Sequence, residues 1–269
     1  MKIGIIGFGI IGKAVYKMFF NKVDLFIYDP YLSNDDKNIL NTNNINYGEE
    51  YIDDCDVVFI CVPTPHNEYD GLDISIVENS VEKFNSDLFV ICSALQPGTA
   101  NRLMKKYNKK IVVQPEYFGE TVNHPLTNLS QQQFLILGGK NEDINKVIEL
   151  YQKVYNANVR IRKVTALEAE VIKLSENRAI AYKVAQCQEL YDVCKASEVD
   201  YETIRQAVYG DDPRFNLWWT FIYEETRGFN SKCIPKDVYG WCKWAKDNKQ
   251  SYKLTESLIE TNSILLKKN

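Results

Sequence analysis

Histidine is almost missing from this chain: His66 and His124 are the only two in 269 residues. That leaves no material for a histidine-rich metal centre and little for a histidine-based triad, so no metal site is expected. Paired cysteine motifs are missing too. The seven cysteines (55, 61, 92, 187, 194, 233, 242) are odd in number, form no close CxxC pair and fall in several cases inside apolar runs. This argues against a disulfide framework and for a reducing cytoplasm. Lys and Arg (32) are outnumbered by Asp and Glu (36), and the basic clusters Lys105-Lys106 and Lys109-Lys110 are short. No nucleic-acid partner is expected from such a chain. No apolar run approaches the ~18 residues of a membrane helix. The apolar opening, "MKIGIIGFGIIG", is interrupted by glycines and reads as a folded strand and turn rather than a signal peptide. Internal repeats and low-complexity tracts are also lacking, although "NTNNINYGEE" has the composition of a loop. Any chemistry must therefore rest on Cys, Lys, Asp, Glu and Asn.

What is present is an ordinary globular composition, 45% hydrophobic and 25% charged, at a length that suggests two domains. Residues 2–6, 23–28, 56–62, 88–92, 111–114, 134–137 and 159–161 read as strands, with amphipathic stretches at 9–20, 74–84 and 142–155 between them. Strands that are apolar almost throughout, each followed by a helix, predict a parallel sheet covered on both faces. The expected fold class is therefore α/β: a doubly wound Rossmann domain over 1–164. From 165 the pattern changes. Residues 165–196 contain neither Gly nor Pro and predict one long helix, with shorter helices at 201–209, 235–247 and 252–267. These make a small all-helical domain over 165–269.

Gly7, Gly9 and Gly12 stand in the spacing GxGxxG between the first strand and the first helix, with Ile10 and Ile11 inside the same turn. In that setting Gly7 makes a tight turn, Gly9 admits a pyrophosphate and Gly12 lets helix pack on strand. The second strand ends in Asp29, placed to accept hydrogen bonds from ribose hydroxyls and to repel a 2′-phosphate, so NAD is favoured over NADP. "CVPTP" follows a buried strand at the carboxyl edge, where such folds place ligands. Pro63 and Thr64 there, and Ser93 after the next strand, are candidate cofactor contacts; a merely rigid turn explains Pro-Thr-Pro equally well.

"GFNSKCIPKD" (228–237) places Cys233 ahead of a proline that can open a helix, beside Lys232 and Lys236. A helix N-terminus and neighbouring ammonium groups favour a thiolate. From the residues alone, a buried structural thiol is the commoner case. Lys173 and Asn177, four apart on the long helix, share a face. They suit either a solvated surface or the stabilisation of an oxyanion.

Several pieces together resemble the UDP-glucose/GDP-mannose dehydrogenases: "VPTP", "SALQPGT", "PEYFGE", "TALEAEVIKLSENRAIAYKVAQCQEL", "DDPR" and "GFNSKCIPKD", in that order from the first residues to about 250. The resemblance implies an NAD-dependent oxidation of a nucleotide sugar's primary alcohol to a carboxylate, through an intermediate bound to Cys233. It implies oxyanion roles for Lys173 and Asn177, a water-holding or basic role for Asp237, and proton handling by Glu116 and Glu120. Arg214, Lys232 and Phe118 become candidate substrate contacts, and the long helix the core of a homodimer. Two departures stand out. The family's "GFGGSC" is here "GFNSKC", and the Thr of its "STVxPGT" is Ala94, so a hydroxyl near the catalytic water is missing. The chain also resembles a short form without the family's substrate-nucleotide domain. Trp218-Trp219 suits a core or interface pair or a platform for a sugar ring. Two other readings use the same residues: a two-electron hydroxyacid-type dehydrogenase, which needs no cysteine, and a non-catalytic NAD-binding partner subunit.

Overall fold

The computed structural model describes residues 1–67, 71–118, 132–155 and 158–268. Its elements are β1 (Lys2–Ile6), α1 (Ile10–Phe19), β2 (Asp24–Tyr28), α2 (Asn34–Thr42), β3 (Asn46–Tyr47), β4 (Val57–Ile60), β5 (His66–Asn67), β6 (Gly71–Leu72), α3 (Ser75–Lys83), β7 (Phe89–Ile91), α4 (Thr99–Tyr107), β8 (Ile111–Val113), β9 (Phe134–Gly138), α5 (Asn141–Tyr151), β10 (Arg160–Val164), α6 (Ala166–Ala196), α7 (Tyr201–Arg205), α8 (Ile234–Asp247) and α9 (Lys253–Leu266). The chain divides into two compact units, one of residues 1–65 and 73–173, the other of 66–72 and 174–269.

The first unit is an eight-stranded sheet in the order β10-β9-β8-β7-β4-β1-β2-β3. Side chains leave it alternately. Ile3, Ile5, Val57, Phe59 and Val90 enter one core, while Ile6, Val58, Ile60, Phe89 and Ile91 enter the other. Strands apolar at every position are thus explained by burial on both faces, each such side chain stabilising by about 1.5–3 kcal/mol. The expectation of a wholly parallel sheet is corrected at one point: β8 and β9 pair antiparallel, through Val113 and Gly138 alone. Apolar runs report two-sided burial, not strand direction, so the sequence pattern could not separate the two cases.

Two short helices, α2 and α4, escaped the sequence reading. In α2 only Asp36 and Leu40 are buried, and Ser33 caps it by accepting from the Asp36 N–H at 3.1 Å. In α4 the residue before the first turn is Gly98, which has no side chain to offer. Its cap comes from α6, where Glu170 accepts from the N–H groups of Gly98 and Ala100 at 2.6 and 2.7 Å. The start of α6 is set locally by a reciprocal capping box, Thr165 with Glu168.

The second unit packs α6 residues Ala181 and Ala185 with Phe229, Val238 and Leu258. It is not wholly helical, because the β5-β6 hairpin belongs to it. A Cβ on Gly240 of α8 would lie 3.0 Å from Leu72, so the small residue is what lets the hairpin approach α8. His66, expected in a loop, lies in β5 with its ring stacked on Tyr239 at 5.2 Å. The helix expected over 201–209 ends at Arg205 and continues as one π turn, Gln206–Asp211.

Candidate functional site

At the carboxyl edge of β1 the three glycines have separate steric reasons. Gly7 has φ +88°, and a Cβ there would stand 2.7 Å from the Cys61 carbonyl oxygen. A Cβ on Gly12 would stand 1.9 Å from the Gly7 carbonyl oxygen, which no rotamer change relieves. Gly9 caps α1 and has nothing within 4 Å of where its Cβ would be. The first turn of α1, with Ile10 and Ile11, carries no acidic residue and no side-chain cap. Its N–H groups face an open approach, which is the setting in which a helix N-terminus holds a phosphate. Asp29 is oriented by its own backbone, accepting from Phe8 N–H at 2.7 Å and Tyr31 N–H at 2.8 Å. Each carboxylate oxygen keeps a lone pair for a ribose hydroxyl. These residues fit a dinucleotide. Pro63 is exposed and Thr64 buried at the end of β4. Ser93 donates to the Val62 carbonyl at 2.7 Å, tying the edge after β7 to the one after β4.

Beyond β8, Glu116 is 6% exposed, and one of its oxygens accepts from the N–H groups of Tyr117 and Phe118 at 2.8 and 2.9 Å. Burial pushes its carboxyl above the usual glutamate range, opposed by those two bonds and by Lys173. Lys173 donates to the Glu116 carbonyl at 2.5 Å and lies over the Tyr117 ring. The structure thus brings Lys173, Glu116 and the Phe118 backbone together in the first unit. Glu120 and His124 lie outside the described residues.

In the second unit Asp237 is fully buried. Asn177 donates to one of its oxygens at 2.5 Å, and the other has the Lys236 ammonium at 4.0 Å. Cys233 is the N-cap of α8, and its carbonyl accepts from the Asp237 N–H at 3.3 Å. It is an exposed thiol; five of the other six are buried and Cys61 is half-buried. The commoner expectation from residues alone, a buried thiol, is overturned. α8 starts one residue before the proline, and that places the sulfur at the first turn rather than under it. Lys232 is exposed beside it. Arg214 is exposed and held by Asp212 through its Nε and Nη2. Trp218 is half exposed, not a core residue.

Sequence reasoning gave Glu170 no role. Its signal was present: a helix opening on Gly98-Thr99 lacks a local cap of its own, so an acid elsewhere has to supply one. Among the described residues no cluster of His, Cys, Asp and Glu could hold a metal ion. No helix there is long and apolar enough to cross a membrane.

A parallel-strand core, a glycine turn opening on an uncapped helix and an acid ending the second strand define a dinucleotide-binding α/β protein of the Rossmann class. The matches to family models are more specific. Residues 18–157 match the NAD binding domain of the UDP-glucose/GDP-mannose dehydrogenase family and residues 167–264 its central domain. The chain belongs to that family. It is 26% identical over 258 residues to a UDP-glucose 6-dehydrogenase of Rickettsia typhi, covering 91% of this chain and 58% of that one. It is 26% identical over 232 residues to one of Pseudomonas aeruginosa, covering 79% and 50%. It thus spans between half and three-fifths of the length of these relatives. The fold is shared with a UDP-glucose dehydrogenase of Pyrobaculum islandicum, with TM-score 0.82 at 19% identity over 98% of this chain and 68% of that one.

Proposed function

We propose that the chain is the NAD-binding and central portion of an enzyme that oxidises the primary alcohol of a nucleotide sugar to a carboxylate, with Cys233 as nucleophile. The observation that carries this is the first turn of α8: an exposed thiol at the helix N-terminus, with a buried aspartate one turn on, hydrogen-bonded to an amide of α6. The N-terminal end of the α8 dipole stabilises negative charge on the oxyanion that forms on the thiol's adduct.

NAD, which Gly9, the first turn of α1 and Asp29 would hold, would supply the hydride acceptor for both oxidations. Between them the Cys233 sulfur adds to the aldehyde carbon, forming a C–S bond and retaining the aldehyde as a thiohemiacetal. The second oxidation leaves a thioester, and water cleaves its C–S bond, so the acid departs and the thiol is restored. One alcohol and one water thus give one carboxylate and two reduced cofactors. Lys173 keeps two ammonium donors beyond its bond to Glu116, and Asn177 keeps a second N–H beyond its bond to Asp237. We assign both to the alkoxide and tetrahedral oxyanion. Asp237 and Glu116 handle water and protons, burial holding the Glu116 carboxyl above the usual glutamate range. Glu120 keeps the same assignment from its place in "PEYFGE". Gly9 and the α1 turn would hold the diphosphate and Asp29 the ribose, with Pro63, Thr64 and Ser93 as further cofactor contacts. Arg214, Lys232 and Phe118 contact the substrate.

The curated relatives make UDP-glucose the first substrate to try. Seven unpaired thiols suit a reducing compartment, and we place the enzyme in the cytoplasm as a homodimer built on α6. A panel of nucleotide sugars with NAD tests the reading. Two NADH per acid and a thioester trapped on Cys233 support it. One NADH per product with Cys233→Ala fully active overturns it in favour of a two-electron dehydrogenase, and NAD binding without turnover indicates a partner subunit.

A further inference from the structure

Between α7 with its π turn and α8 lies a stretch, residues 212–233, with no helix or strand. Its last part is nevertheless buried at Arg227 and Phe229, and buried backbone groups without a ladder need partners elsewhere. One side chain supplies them. Asn262 of α9, itself 7% exposed, accepts from the Phe229 N–H at 2.8 Å and donates to the Phe229 carbonyl at 3.0 Å. A single amide thus reads both backbone groups of one residue, as a neighbouring strand would. Gly228 is shaped to this contact: it has φ +78°, and a Cβ there would lie 2.6 Å from the Asn262 oxygen. On the other side of Gly228, Arg227 donates to the Gln188 carbonyl at 3.1 Å and to Asp192 at 2.8 Å, both on α6. From Phe229 the chain has only Asn230, Ser231 and Lys232, all exposed, before Cys233, and Ser231 accepts from the Ile234 N–H at 3.2 Å.

We propose that Asn262 is a positioning residue: by clamping the backbone of Phe229 it fixes where the segment enters α8, and so where the Cys233 thiol stands. The proposal rests on Cys233 being the nucleophile. Asn262 touches no reacting atom; Arg227 secures the same segment to α6, and the left-handed glycine between them lets the two anchors point apart.

The test uses the full chain with Asn262→Asp. The carboxylate still accepts from the Phe229 N–H, but it has no donor for the Phe229 carbonyl and repels it. Once protonated it can do both again. Burial raises the proton affinity of a carboxyl, which brings the titration within reach of assay. Near neutral pH kcat is expected to fall about tenfold, since small displacements of a reacting group cost that or more. KM for NAD stays unchanged, and the deficit relative to wild type shrinks as pH falls. Amide exchange across 229–233 should quicken in parallel, with the rest of the second unit protected as before. A variant matching wild type in kcat and in exchange at every pH overturns the proposal, as does a deficit independent of pH. Should the aspartate variant not fold, Asn262→Gln replaces it without the pH arm: its longer arm cannot meet both groups from the same Cα, so a lower kcat with quicker exchange across 229–233 supports the clamp, and wild-type values of both overturn it. A wild-type chain that oxidises no nucleotide sugar refutes the dehydrogenase reading alone; exchange across 229–233 then still decides whether Asn262 is the clamp.

Discussion

Replacing Glu170 by glutamine should make the protein more stable at alkaline pH, not less, although it weakens a helix cap. Glu170 is 1% exposed, and burial pushes its carboxyl up to about 7, against the two N–H groups it accepts from. In the unfolded chain the same group titrates at the ordinary 4.5. Between those values the folded state holds a proton that the unfolded chain has released. Stability from this group is therefore fully present below about pH 4.5 and is lost as pH rises through about 7. At about 1.4 kcal/mol per pH unit, the loss sums to about 3 kcal/mol. Glutamine imitates the protonated acid: it keeps one carbonyl oxygen for Gly98 or Ala100 and presents hydrogens where the acid presents its O–H. Wild type and Glu170→Gln should thus agree near pH 4, and the variant should gain by up to about 3 kcal/mol above pH 7. Urea unfolding followed by far-ultraviolet circular dichroism across pH 4–8 measures this difference. Parallel stability curves for the two proteins, or a variant weaker at pH 8, would show that the α4 N-terminus stabilises the carboxylate more than burial opposes it.

Gly12→Ala forces a methyl against the Gly7 carbonyl and should cost about 3 kcal/mol together with loss of NAD affinity, read by thermal melts and cofactor titration. Asn177→Ala removes the donor to a fully buried carboxyl and should destabilise by about 1–3 kcal/mol, with nucleotide-sugar oxidation falling as well; retained activity refutes its oxyanion role. Cys233→Ser should still bind NAD but release no carboxylate, a split that cofactor fluorescence and product analysis detect together.

Two-sided burial, the glycine turn and the acid ending β2 were legible in the sequence because each is dictated within a few residues. Apolar runs demand covered strands, and GxGxxG before a helix demands close backbone approach. The long helix was legible because no glycine or proline interrupts 31 residues. The family's motifs supplied Cys233, Lys173, Asn177 and Asp237 as candidates, which local pattern alone left open between surface, core and chemistry. Among the short elements α2 was not legible, since it buries only Asp36 and Leu40, whereas Ala100, Leu103, Met104 and Tyr107 give α4 a helical period that spans only nine residues.

By itself, then, the sequence determined the class of fold, the cofactor edge and the few residue types able to carry chemistry. Only the tertiary structure decided that Cys233 is exposed rather than buried, and that Glu170 caps a helix starting at Thr99. It likewise decided that Asn262 holds Phe229 from 33 residues away and that β8 and β9 run against each other. Exposure and pairing between distant residues depend on which surfaces the folded chain brings together. Hydropathy and spacing report only what each residue prefers among its neighbours.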